Sequence, residues 1–165
     1  MEIYVLRHGE AEPRNENVPE SDRKLTRKGK RDTERVVGLA RACKVHPDVV
    51  LSSPYVRALS TARIAVKCFK PKPALRVTQV LLPEYAPKQV WKEIRAHAES
   101  QQILLVGHEP QLSSVIAYLL GCPVLAVDFK KSAMAGIQMD RLDGEPRGDL
   151  KWLITPGFAR RARSL

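Results

Sequence analysis

Three short apolar runs in this chain each break off into a cluster of chemically capable residues. Ile3 to Leu6 leads into Arg7-His8-Gly9, Val49 to Leu51 into Ser52-Ser53-Pro54, and Ile103 to Val106 into Gly107-His108-Glu109-Pro110. Runs this short, rich in branched aliphatic residues, read as buried strands, and the glycines and prolines after them as turns. Between the runs the apolar spacing becomes helical. Thr26 can cap a helix reaching about Cys43, and Ser53-Pro54 reads as an N-cap with proline at the first position of a helix to about Cys68. Pro87 to Ser100 predicts a helix with Val90, Trp91 and Ile94 on its inner face. Pro110 opens another through Leu120, with Gly121 placed to end it. Leu75 to Val80, Ala133 to Met139 and Leu150 to Ile154 add strands. Strands alternating with helices over most of the chain predict an α/β fold, a layered sheet flanked by helices on both faces. The order of strands does not follow from the pattern.

At 165 residues the chain suits one domain, 1–165, able to bury a core without covalent staples. Cys43, Cys68 and Cys122 are odd in number and far apart, matching neither a disulfide framework nor a zinc spacing. They read as reduced thiols of a cytoplasmic protein. No apolar run approaches the roughly 18 residues of a membrane span. Met1 to Leu6 lacks a basic leader before a long apolar segment, so no secretory signal is expected. The net charge of +10 favours anionic partners, phosphoryl groups among them. No RNA-binding motif or helix-turn-helix signature accompanies Arg23-Lys24, Arg27-Lys28, Lys30-Arg31 or Arg160-Arg161-Ala162-Arg163. These clusters read as a solvated face or a frayed tail, with no nucleic-acid and no membrane partner expected.

In open α/β sheets ligands bind beyond the carboxyl ends of the strands, so the three loaded segments are expected at one edge. His8, His108, Arg7 and Arg57 would there form a cationic pocket. The start of the helix after His108 would add free N–H groups and a dipole suited to an anion. Singly, each residue has an ordinary reading: a surface turn for Arg7-His8-Gly9, a helix cap for His108, a solvated cation for Arg57. Ser53 reads as a cap, because no Gly-x-Ser-x-Gly elbow marks a nucleophile. His46 and His97 read as surface residues.

Taken together, Leu6-Arg7-His8-Gly9-Glu10-Ala11, Leu25-Thr26-Arg27-Lys28-Gly29, Ser52-Ser53-Pro54-Tyr55-Val56-Arg57-Ala58-Leu59-Ser60-Thr61-Ala62 and Val106-Gly107-His108-Glu109-Pro110 resemble the histidine phosphatase superfamily, in that family's order. The short length, Lys131-Ser132-Ala133-Met134-Ala135 and Trp152-Leu153-Ile154-Thr155-Pro156 look most like SixA-type phosphohistidine phosphatases. The resemblance implies a phosphoglycerate mutase-like fold without a large cap insertion, and no cofactor or metal. It implies that His8 attacks phosphorus and carries the phosphoryl group, while Arg7, Arg57 and His108 bind its oxygens. Glu84 falls where the family often places a proton donor, with a solvated loop carboxylate as its plain alternative; Arg23 would reach the pocket mouth. Only about twenty residues separate Leu81 from Ile103, too few for a lid, so a shallow, open pocket is expected. That suits phosphohistidine on a protein partner. The alternatives are a broad phosphomonoesterase or sugar-phosphate phosphatase, and a non-catalytic anion-binding module. A monomer is favoured.

Overall fold

The computed structural model describes residues 1–162. In chain order the elements are β1 (Glu2–Arg7), α1 (Arg27–Ala42), β2 (Val49–Ser52), α2 (Val56–Cys68), β3 (Ala74–Val77), α3 (Pro87–Arg95), β4 (Gln102–Gly107), α4 (Gln111–Leu119), β5 (Met134–Gln138), β6 (Asp149–Ile154) and α5 (Pro156–Ala162). Single 3₁₀ turns lie at Glu20–Asp22 and Gln79–Leu81. One six-stranded sheet has the order β3-β2-β4-β1-β5-β6. β3, β2, β4 and β1 run parallel, β5 is antiparallel to β1, and β6 is antiparallel to β5.

The alternation of side chains along each strand divides the core between the two faces of the sheet. Ile3 and Val5 of β1 and Ile103 and Leu105 of β4 pack with Val90, Trp91 and Ile94 of α3 and Leu112, Val115, Ile116 and Leu119 of α4. Tyr4 and Leu6, with Leu104 and Val106, pack on the other side with α1, α2 and α5. Both strands are therefore apolar through their middles, Ile3–Leu6 and Ile103–Val106, as a parallel sheet covered on both faces requires. Leu105 is fully buried, and its truncation to alanine should cost about 2–5 kcal/mol.

The expected elements are present with shifted ends. Thr26 caps α1, accepting from the Gly29 N–H at 3.0 Å. The second helix begins two residues after Pro54, with Tyr55 and not Ser53 at its cap. The strand expected from Leu75 to Val80 is shorter and passes into the 3₁₀ turn, and α3 ends at Arg95. Gly121 follows α4 at φ +63°, the left-handed conformation that favours glycine. The basic tail is not frayed over its described part. Residues 156–162 form α5, whose Ala159 is buried and whose Arg160 reaches Asp32 at 3.2 Å; Arg163 lies outside the described residues. His97, expected at the surface, is 91% buried beside Glu93 and Glu99, whereas His46 is exposed.

Candidate active site

β4 lies between β1 and β2, so the ends of the three loaded strands abut. Register pairs Leu6 with Val106 and Ser52 with Val106, which sets His8, Ser53 and His108 side by side. Backbone bonds continue past the strands, from His8 N to Gly107 O at 3.1 Å and from Ser53 N to Val106 O at 3.0 Å. From β1 the chain crosses towards β2 under α1, and from β4 it crosses the opposite way under α4. The crevice between oppositely departing connections is where such sheets bind ligands. Gly9 lets α1 close in: a Cβ there would lie 2.7 Å from the Gly29 carbonyl oxygen. Thr61 of α2 holds the same turn, its Oγ1 accepting from Gly9 N at 3.1 Å.

His8 is 6% exposed. Its Nδ1 lies 2.7 Å from the Gly9 carbonyl oxygen, which can only accept, so Nδ1 carries the proton and Nε2 keeps its lone pair. Arg57 donates from Nε to that Nε2 at 3.3 Å. Burial, with the positive charges of Arg57, Arg7 and Lys131, pushes the imidazole down to about 3, against the smaller upward pull of the Gly9 bond. At neutral pH it is a neutral base.

The guanidinium groups surround this base. Arg57 is 4% exposed and is fixed by the Glu20 backbone oxygen at 2.6 Å and the Glu20 carboxylate at 3.1 Å. Glu20 also binds Arg23 at 2.7 Å and Arg14 at 3.4 Å. Glu20 thus links Arg23 to Arg57. Arg7 donates to Phe129 O at 2.7 Å, and its Nε is buried without a partner, as is the Nε of Arg23. His8, Arg57 and His108 are all buried, and the 3₁₀ turn at Glu20–Asp22 folds back onto Arg57. Glu20 had no sequence signal, because its contact spans 37 positions.

His108 is 1% exposed and its ring centre lies 5.1 Å from that of His8. Its Nε2 bonds Ser53 Oγ at 2.7 Å, and its Nδ1 is buried without a partner. Ser53 therefore orients a histidine in place of capping α2. Burial first, then the neighbouring His8 and the charges of Arg57, Arg7 and Arg23, pushes His108 down to about 2. The helix start after His108 offers fewer free N–H groups than expected. Leu112 N bonds His108 O at 2.9 Å, Ser113 N bonds the Glu109 carboxylate at 3.0 Å, and Pro110 has no N–H to give. Gln111, unremarked in the sequence, donates to Val80 O at 2.7 Å and Tyr85 O at 3.0 Å, tying the loop before α3 to α4. Glu84 sits exposed in that loop and bonds none of the site residues.

Two neutral imidazoles among three guanidinium groups can hold an anion beside an unprotonated ring nitrogen. Among the described residues no three His, Cys, Asp or Glu side chains converge to hold a metal ion.

Known proteins agree with this geometry. The model of the histidine phosphatase superfamily (branch 1) matches residues 3–78. An uncharacterized protein of Picosynechococcus sp. is 31% identical over 94% of this chain and 97% of its own. Phosphohistidine phosphatase SixA of Escherichia coli is 24% identical over the full length of both. The structure of the protein histidine phosphatase SixA complexed with tungstate superimposes with a TM-score of 0.84 at 25% identity, over 95% of this chain and 98% of that one. Sheet, crevice and sequence lead to one assignment: this chain belongs to the histidine phosphatase superfamily of hydrolases, and its fold is SixA-like.

Proposed function

We propose that this protein is a phosphohistidine phosphatase that acts on a phosphorylated protein through a covalent intermediate on His8. The observation that carries the reading is the pairing of an unprotonated His8 Nε2, met only by the Arg57 Nε–H at 3.3 Å, with a site whose bound carboxylate cannot give up a proton. Glu20 is that carboxylate. Burial pushes it up, but Arg23, Arg57 and Arg14 outweigh this and hold it below the usual range. An alkoxide leaving group needs a general acid. The imidazole of phosphohistidine is a far weaker base and can take its proton from solvent.

In the first step Nε2 attacks phosphorus and the P–N bond to the substrate imidazole breaks. The departing imidazole, neutralised by a solvent proton, leaves with the partner protein. Water then attacks phosphorus on His8, the P–Nε2 bond breaks, and inorganic phosphate departs with His8 neutral again. Arg7, Arg57 and the unpartnered Nδ1 of His108 hold the phosphoryl oxygens, and Arg23 stands at the mouth. The transfer asks mainly for positioning and charge stabilisation, which guanidinium forks supply. His108 gains a proton more readily once a dianion offsets the arginines. Unpaired Cys43, Cys68 and Cys122 fit the reducing cytoplasm in which we place the enzyme.

Brief exposure to labelled substrate followed by denaturation should leave acid-labile, base-stable phosphate on His8. Label surviving in His8→Ala would overturn the nucleophile. Rates on phosphohistidine proteins beside small phosphate esters decide the substrate: a higher kcat/KM on the esters would favour a broad phosphomonoesterase.

A further inference from the structure

A second cavity, of about 550 Å³, adjoins the phosphoryl pocket across Arg7. Arg7, Lys28, Lys130, Lys131 and Arg160 line it against the two carboxylates Glu10 and Asp32. Those carboxylates are already spoken for. Glu10 binds Lys28 at 2.6 Å, Asp32 binds Arg160 at 3.2 Å, and Lys130 is turned to Asp128 at 2.6 Å. Among the described residues Arg7 and Lys131 have no carboxylate partner.

Lys131 is held in place by its backbone. Ala133 N closes a tight turn onto Lys130 O at 2.8 Å, and Ser132 N bonds His8 O at 3.1 Å. Ser132 has φ +61°, a conformation that non-glycine residues rarely adopt, and its buried hydroxyl meets Thr33 Oγ1 at 3.1 Å. The turn is thus pinned to the nucleophile's own residue and to α1 while the Lys131 side chain stays exposed. Its charge is felt at both His8 and Glu10, which places the ammonium between the catalytic pocket and the second cavity.

We propose that this cavity is a second anion subsite, which takes a carboxylate side chain flanking the phosphohistidine on the partner protein. The proposal rests on the reading of a phosphorylated protein as substrate. Five cations gathered against two neutralised acids leave a net positive field that an anion satisfies. The cavity is far roomier than one phosphoryl group, and the exposed Lys28, Lys130 and Lys131 leave its rim open to an extended segment. The phosphoryl group enters the pocket and the neighbouring acid settles between Lys131 and Arg7.

Matched phosphohistidine peptides flanked by aspartate, asparagine or lysine test this, alongside phosphoserine peptides with the same flanks. The readout is the ratio of kcat/KM values within one phosphate chemistry, so any change in the absolute rate cancels. The wild-type protein should prefer aspartate over asparagine by about fivefold, as expected of one partly exposed ion pair. Raising the ionic strength should shrink that ratio. Lys131→Ala and Lys131→Gln should bring it near one, and Lys131→Glu should favour the lysine-flanked peptide. A ratio unchanged in all three variants, or no aspartate preference in the wild type, overturns the subsite. Cleavage of phosphoserine but not phosphohistidine peptides overturns the substrate reading alone, and the aspartate ratio is then scored on phosphoserine. Cleavage of neither overturns both.

Discussion

Arg57 points its Nε–H at Nε2 of His8 from 3.3 Å, the nitrogen to which the attack on phosphorus is assigned. On the proposed mechanism, one guanidinium fixes the attacking ring and also binds the phosphoryl oxygens. Lysine keeps the charge but cannot keep this fork. Arg57→Lys should lower kcat/KM by one to two decades, about 1.5–3 kcal/mol for a charge-assisted bond pattern. Unchanged steady-state kinetics in a folded variant would remove Arg57 from the reaction.

Glu20 occupies the outer side of the same guanidinium and bridges it to Arg23. A carboxylate here competes with phosphate for those donors. Glu20→Gln should therefore tighten inhibition by inorganic phosphate, by roughly 5-fold if one exposed ion pair is relieved. A higher inhibition constant would instead make Glu20 an anchor that keeps the arginines in place.

Where sequence succeeded and where it fell short follows from the range of the interactions. Apolar runs ending in Arg7-His8, Ser52-Ser53 and Gly107-His108 are local signals, and their convergence needs only the rule that parallel strands point the same way. Arg57, singled out one turn into the second helix, does lie against His8. Glu20, Gln111 and the histidine-bound role of Ser53 arise from contacts 37, 31 and 55 positions apart, which no local pattern encodes. α5 was missed because a seven-residue helix rich in arginine has too little apolar periodicity to register. The helix start after His108 is poorer in free N–H groups than its position suggested, because Glu109 turns back to take the Ser113 N–H.

Acid should unfold this protein partly through its two site histidines. Burial, aided by neighbouring arginines, lowers His8 to about 3 and His108 to about 2, from an ordinary 6.5. Below 6.5 the unfolded chain binds protons that the folded chain refuses. The stability the neutral rings contribute is full above that pH and is lost as pH falls towards about 3. Near pH 5 each ring should cost about 2 kcal/mol relative to pH 7, from 1.36 kcal/mol per unit over about 1.5 units. Urea unfolding at both pH values, compared with His8→Asn/His108→Asn, checks it. An equal loss in the double variant would mean that the rings are protonated in the folded state.

Chelation should leave turnover unchanged. The charged groups felt at both His8 and His108 include the guanidinium groups of Arg57 and Arg7, which repel a divalent cation and already supply the charge such an ion would bring. Loss of activity after dialysis against a strong chelator, restored by magnesium, would contradict this.

Dependence on the leaving group probes the missing proton donor most directly. Glu20 is held ionised, and Glu84 lies exposed without a bond to the site. With no acid to protonate the departing oxygen, negative charge accumulates on it in the transition state. Aryl phosphates with acidic phenols should then react far faster than alkyl phosphates. General acid catalysis, worth roughly 10²–10⁴-fold, would be absent from the alkyl reactions. Phosphohistidine should stand with the fast substrates, since its imidazole needs only solvent. Glu84→Gln should change every rate in the series by less than about threefold, within the range of a solvated surface substitution. Kinetics across a series of phenols and alcohols decide the matter. A flat dependence that turns steep in Glu84→Gln would assign the proton to Glu84 and make esters a fitting substrate.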